Sequence, residues 1–286
     1  VKAVVVGGGL AGCAAALELI ARGASVELVR AAPGATALGW GTLDVAGASP
    51  LRRGGLPLRD TPGGPVLAPR RRVELAALGN AAHPYARLGS AGAFAGEIED
   101  ARAALEGWLA PSGIGLTGSL ERTRWLVDVR GALRGADLAF SGAGEGDLDG
   151  ADEIALVDVP GLAGYEARAA LRALAAELEG VSDGRRALQL LRLDLPPVLQ
   201  ELAGTPARLA HALEGPAARE ALRSQVAGFA ADGRLVLFPP VLGLEGAERV
   251  RGWLRETIRC RFAELVGAPE LAVAGFRLDR ALCHAL

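Results

Sequence analysis

Lys2-Ala3-Val4-Val5-Val6-Gly7-Gly8-Gly9-Leu10-Ala11-Gly12-Cys13 stands at the start of the chain, and its reading decides the fold. Lys2 to Val6 is a short valine-rich run of the kind that forms a buried strand. The glycines follow at once. Cys13 to Ala21 then reads as a helix, with Leu17 and Ile20 spaced for one face. Arg22-Gly23 stops it, and Ala24 to Val29 reads as a second strand. Strand, glycine turn, helix and strand form the context that makes G-x-G-x-x-G a dinucleotide fingerprint. Gly7 permits the tight turn, Gly9 lets backbone approach a pyrophosphate, and Gly12 lets helix pack on strand. The helix N-terminus offers free N–H groups and partial positive charge to phosphates. Gly7, Gly8, Gly9, Leu10, Ala11 and Gly12 are therefore expected cofactor-binding residues. The alternative is a glycine-rich β-α turn without a ligand.

The second strand of such a unit ends in Asp or Glu, which bonds the ribose hydroxyls. Here Arg30 holds that place and Glu27 lies earlier. An arginine there reads as a 2′-phosphate ligand, hence NADP, or as weakened adenosine binding, or as an ordinary exposed side chain. Next comes Gly34-Ala35-Thr36-Ala37-Leu38-Gly39-Trp40-Gly41-Thr42-Leu43-Asp44-Val45-Ala46-Gly47. Small residues dominate, so backbone can approach a flat ring. Thr36, Ala37, Gly41, Thr42 and Leu43 join Arg30 as expected cofactor contacts, and Trp40 is the aromatic best placed to stack on a ring. An ordinary glycine loop is the alternative.

Four stretches carry a family resemblance: Val6 to Gly12; Gly41-Thr42-Leu43-Asp44; Ala82-His83-Pro84-Tyr85-Ala86-Arg87-Leu88-Gly89; and the strand-turn-helix blocks Ile154 to Leu174 and Leu235 to Leu254. In order and spacing they resemble the B-type subunit of anaerobic glycerol-3-phosphate dehydrogenase. The resemblance implies a flavin-bearing component of a respiratory complex that takes glycerol 3-phosphate to dihydroxyacetone phosphate and sends electrons toward quinone. It implies FAD, with FMN as alternative, and two partners, a catalytic FAD subunit and an iron–sulfur subunit. It places the protein in the cytoplasm, peripheral at the inner membrane face through those partners. Members of the family close with a glycine-rich return segment after the point where this chain ends, so flavin binding by this chain is expected to be weak or lost. A non-catalytic assembly subunit that has lost flavin, and an NADP-dependent reductase using Arg30, are the alternatives.

The rest of the sequence sets limits. It has 286 residues, 50% of them hydrophobic, with a net charge of −2. That excludes a strongly basic nucleic-acid binder. Three dispersed cysteines, Cys13, Cys260 and Cys283, form no disulfide framework. Leu10-Ala11-Gly12-Cys13 looks like a lipoprotein cleavage box, but the basic start and long apolar core of a signal peptide are missing. No apolar run suits a transmembrane helix, so no direct membrane insertion is expected. No histidines or cysteines stand at ligand spacing, so no metal is expected. His83 is the one histidine inside a motif; a proton donor near flavin and a structural prop before Pro84 are its two readings.

Pro50 to Arg72 reads as a linker, and Arg70-Arg71-Arg72 as a solvated face. Phe94 to Leu109 reads as a helix, and Gly113 to Asp128 and Gly131 to Asp137 as strand pieces with turns. Ile154 to Val159, Leu188 to Leu195 and Leu235 to Phe238 read as strands. Tyr165 to Leu178, Thr205 to Leu213, Ala217 to Ala227 and Ala247 to Ile258 read as helices. The alternation suggests a parallel α/β unit. The expected fold class is α/β: a Rossmann-type FAD-binding fold with an inserted second α/β domain. The expected division is 1–50 for the dinucleotide unit, 51–110 for linker and helix, and 111–286 for the inserted domain.

Overall fold

The computed structural model describes residues 1–44, 91–179, 186–267 and 273–286. Strands β1 (Lys2–Val6) and β2 (Ser25–Val29) pair in parallel, with Lys2 opposite Ser25 and Val6 opposite Val29. Helix α1 (Leu10–Ala21) connects them and buries Cys13, Ala16 and Leu17. It starts at Leu10 rather than Cys13, because the Leu10 N–H finds an acceptor in the Thr36 hydroxyl at 2.7 Å. A hydroxyl so far along the chain caps the helix, and no local sequence cue announces it.

Three helices share the first core. Cys13 and Leu17 of α1 meet Leu105 and Leu109 of α2 (Ala91–Leu109). Leu278, Ala281 and Leu282 come from α8 (Val273–Ala285), near the other end of the chain. Gly275 lets α8 approach the 3₁₀ turn Ala35–Leu38: a Cβ there would stand 2.3 Å from the Ala37 carbonyl oxygen. Each buried leucine stabilises this junction by about 1.5–3 kcal/mol.

The larger core surrounds a four-stranded parallel sheet. Its strands are β8 (Glu153–Asp158), β9 (Ala187–Arg192), β10 (Arg234–Phe238) and β11 (Arg261–Glu264), in the order β11-β10-β8-β9. Ile154, Leu156, Leu235 and Leu237 are fully buried within it. Leu174 of α3 (Ala167–Glu179) and Leu254 of α7 (Ala247–Ile258) belong to the same core. From β8 the chain runs through α3 to β9 on one side; from β10 it runs through α7 to β11 on the other. The strand order thus reverses between β8 and β10, and clefts in such sheets lie at the strands' carboxyl ends beside that point. Helices α4 (Pro197–Gln200), α5 (Pro206–Ala212) and α6 (Pro216–Ala227) lie between β9 and β10 in sequence.

Short antiparallel pieces complete the described residues. β3 (Thr42–Leu43) and β4 (Leu116–Gly118) flank β7 (Leu138–Phe140), and β5 (Arg124–Val127) pairs with β6 (Leu133–Ala136). The expected strands, turns and helices over 113–258 are present in this mixed α/β architecture. The linker reading of 50–72 and the arginines 70–72 lie outside the described residues.

Candidate functional site

The glycine turn closes as its sequence predicts. Gly7 has φ +113°, which a Cβ disfavours. A Cβ on Gly12 would stand 1.8 Å from the Gly7 carbonyl oxygen, so only glycine lets α1 lie this close to the turn. Gly34 packs in the same way: a Cβ there would stand 2.6 Å from the Gly9 Cα. Gly9 differs, because a Cβ there would meet the Thr36 hydroxyl at an ordinary 3.6 Å. After Leu10, the amides of Ala11 and Gly12 begin the helix without an acceptor among the described residues. Ala11 is also exposed. Free amides at a helix N-terminus beside a compact glycine turn suit the pyrophosphate of FAD.

Arg30 lies against this turn. A Cβ on Gly8 would come within 2.8 Å of both Cβ and Cδ of Arg30. The guanidinium reaches α8, donating through Nη2 to Asp279 Oδ2 at 3.1 Å and through Nη1 to Cys283 Sγ at 2.6 Å. The hydrogen bond to Asp279 raises the arginine pKa further. Asp279 is buried, and its second oxygen, Oδ1, has no partner among the described residues. Nearby, Cys13 is buried in the first turn of α1; burial first, then Cys283 and Asp279, push its thiol pKa up.

A cavity of about 240 Å³ opens where the glycine loop, α8 and the carboxyl ends of β10 and β11 converge. Trp40 and Gly41 line one side. Gly41 has φ +88° and its carbonyl accepts from Phe140 N–H at 2.9 Å. The guanidinium of Arg134 stacks over Trp40 at 3.4 Å from the ring centroid, so one face of this aromatic is already covered.

Opposite, buried Arg277 forks onto buried Glu264, with Nη1–Oε2 at 2.5 Å and Nη2–Oε1 at 2.9 Å. Arg277 Nε donates to Gly243 O, and Leu242 N–H donates to Glu264 Oε1. Burial alone would raise the Glu264 carboxyl; the Arg277 charge and these hydrogen bonds outweigh it and hold the pKa below the usual range. Arg251, also buried, is held by Glu248 and by the Ser141 hydroxyl. Arg280 pairs with Glu245 at 2.6 Å where the cavity meets solvent.

The structure therefore brings Gly7 to Gly12, Arg30 and Thr36 together at one turn. Gly41 stands at the cavity instead. Ala37 packs under α8, and Thr42 and Leu43 sit in β3 opposite Ala139 and Leu138. His83 lies outside the described residues. Asp279, Cys283, Glu264 and Arg277 were not legible as site residues, since each acts through a partner remote in sequence.

A family model described as an FAD binding domain matches residues 2–192. The chain belongs to this family of FAD-binding domains. FAD is thus the cofactor, in agreement with the fingerprint at Gly7 to Gly12 and with an α/β flavoprotein fold. The chain is also similar to proteins named as the B-type subunit of anaerobic glycerol-3-phosphate dehydrogenase. The one from Pectobacterium carotovorum subsp. carotovorum is 28% identical over 287 residues, and the one from Pectobacterium atrosepticum 26% over 294. Both alignments cover 98% of this chain and 62% of the relative, so the chain spans somewhat under two thirds of their length. No solved structure matches the chain.

Proposed function

We propose that this chain is the FAD-bearing portion of one component of a glycerol-3-phosphate dehydrogenase complex, acting in electron transfer toward quinone. The observation that carries the reading is an intact glycine turn within an alignment to the B-type subunits that runs along 98% of the chain. Gly7 to Gly12 and Thr36 hold the pyrophosphate at the N-terminus of α1, while Trp40 and Gly41 border the flavin ring. When bound, FAD supplies a two-electron acceptor that can hand electrons on singly. The protein's part is to bind it, shape the cavity beside it and dock the partner subunits. Those partners are a catalytic FAD subunit and an iron–sulfur subunit, and the location is cytoplasmic, at the inner membrane face through them. Among the described residues no helix is long and apolar enough to cross a membrane.

One observation favours a relay or platform role over alcohol oxidation by this chain itself. The charged groups lining its cavity are consumed in internal pairs: Arg277 with Glu264, Arg251 with Glu248, Arg280 with Glu245. An alcohol oxidation needs a base free to take the hydroxyl proton; these carboxylates are not free, which leaves the imidazole of His284 at the cavity wall as the basic group among the described lining residues. The test is reconstitution with both partner subunits. FAD bound to this chain should bleach on addition of glycerol 3-phosphate only when the partners are present. Bleaching by the chain alone at an enzymic rate would assign the oxidation here; an unchanged spectrum in the complete assembly would remove the chain from the electron path.

A further inference from the structure

The cavity beside Trp40 and Gly41 has its carboxylates occupied, but not all of its donors. Arg251, Arg277 and Arg280 line it against Glu245 and Glu264, so its described wall carries one more cation than anion. Glu248, the partner of Arg251, stands outside that wall, is half exposed, and is shared with Arg255. Arg277 uses Nε on Gly243 O and one N–H of each terminal nitrogen on Glu264. Each terminal nitrogen carries a second N–H, and neither has an acceptor among the described residues. The Ser141 hydroxyl accepts from Gly115 N–H at 3.0 Å and from Arg251 Nη2 at 3.2 Å. Its own proton likewise finds no acceptor among the described residues.

These polar groups are contiguous. A Cβ on Gly142 would stand 2.8 Å from Glu264 Oε2 and 3.2 Å from Arg251 Nη1, so Arg251 and Arg277 meet across a single carboxylate. The rest of the wall is largely apolar: Ile114, Phe140, Leu265 and Leu278 line it with Trp40. At about 240 Å³ the cavity suits a small ligand. Apolar wall favours a hydrocarbon body, and open N–H and O–H donors bind a charged acceptor more strongly than a neutral one. A single negative charge balances the wall. A dianion such as a phosphate ester brings charge that the apolar wall cannot compensate.

We propose that this cavity binds a small organic monocarboxylate with a hydrocarbon body, its carboxylate held by the Ser141 hydroxyl and by Arg277 beside Arg251. The cavity's own walls carry the inference, and the glycine turn takes no part in it. Only the ligand's place beside the flavin ring rests on the FAD reading.

The test is calorimetric titration of the 286-residue chain with 3-phenylpropionate, its neutral isostere 3-phenylpropanamide, acetate and glycerol 3-phosphate. Phenylpropionate should bind most tightly, ahead of the amide by about tenfold or more, as for a charged hydrogen bond gained. Acetate lacks the body, and glycerol 3-phosphate lacks it and carries a second charge, so both should bind more weakly. Ser141→Ala should narrow the gap between acid and amide by weakening the acid alone. Arg251→Gln removes the surplus cation, leaves Glu248 with Arg255, and should narrow the gap further. Should either variant fold poorly, the wild-type titrations decide alone. The proposal is overturned if the folded wild type binds none of the probes, if it binds amide as well as acid, or if acetate or glycerol 3-phosphate binds more tightly than phenylpropionate. A full gap kept in folded Ser141→Ala and Arg251→Gln proteins overturns it too. The acid titration is then repeated with saturating FAD, and its affinity should hold. FAD that competes with the acid would make the cavity the ring's own seat and overturn the proposal. A chain that binds the acid but no FAD overturns the FAD reading alone.

Discussion

Glu264 sits where charge is hardest to place. It is almost wholly buried, so its carboxylate survives only because Arg277 forks onto it and Leu242 N–H adds a third donor. Removing one member of such a pair leaves the other charge unpaired and costs about 3–5 kcal/mol. Glu264→Gln should therefore lower the unfolding free energy at neutral pH by that much, read as a lower urea midpoint with unchanged slope. The pH dependence has a definite sign. The folded pKa is depressed, so the stabilisation is complete above the unfolded value near ~4.3 and is lost as pH falls through the folded value. The wild type should lose stability steeply on the acid side of that range, and the Gln variant should show a shallower fall there. Parallel curves for the two would mean that Glu264 is not the group responsible.

A second carboxylate has a comparable role on the surface of the larger core. Glu214 Oε1 accepts from the amides of Leu244, Glu245 and Gly246 at 2.6, 2.6 and 2.8 Å, tying down the turn that leads into α7. Burial would raise this carboxyl, but the three amides hold it below its usual value. Glu214→Ala should cost about 1.5–3 kcal/mol, the range for hydrogen bonds to a charged group, and thermal denaturation will read it. A melting temperature equal to wild type would show that solvent replaces these bonds without loss.

Elements differ in how far local sequence announces them. β1, α1 and β2 were legible because their defining contacts are short: one strand, one turn, one helix, with Gly12 closing on Gly7. The parallel strands β8 and β10 were legible from apolar runs with helices between them. The start of α1 at Leu10 was not, since its cap is Thr36. Nor was the docking of α8, whose acidic and thiol groups answer an arginine near the other end of the sequence. Trp40 was readable as the aromatic of the glycine loop, but not its cover by Arg134. The glycine turn offers the sharpest test at this scale, because its glycines do different work. Gly12→Ala forces a Cβ to 1.8 Å from backbone oxygen and should destabilise the fold itself. Gly9→Val places its Cβ at ordinary contact distance, so it should leave circular dichroism intact while releasing FAD. Flavin retained in a folded Gly9→Val protein would place the pyrophosphate elsewhere.

At the scale of the whole molecule, two cores meet around one cavity, and α8 belongs to both sides of it. Through Leu278 and Leu282 it packs with α1 and α2; through Arg277 it grips Glu264 at the end of β11. The glycine turn and the parallel sheet are thus joined by one helix whose attachments differ: apolar at α1 and α2, and ionic at Glu264 beside Val273, which is buried in the larger core. Weakening the ionic attachment should loosen the cavity before it unfolds the sheet, because the sheet's own core of Ile154, Leu156, Leu235 and Leu237 does not depend on it. Arg277→Leu removes the guanidinium, leaves Glu264 without its main partner and keeps apolar volume on α8. We expect faster hydrogen exchange in α8 and in the Trp40–Gly41 loop, with β8 and β10 still protected, together with faster FAD release in dialysis. Because Trp40 borders the cavity, its fluorescence should report the same opening. Uniformly faster exchange across β8 and β10 would show instead that the two cores unfold as one unit, and that α8 is not a separable link between cofactor and sheet.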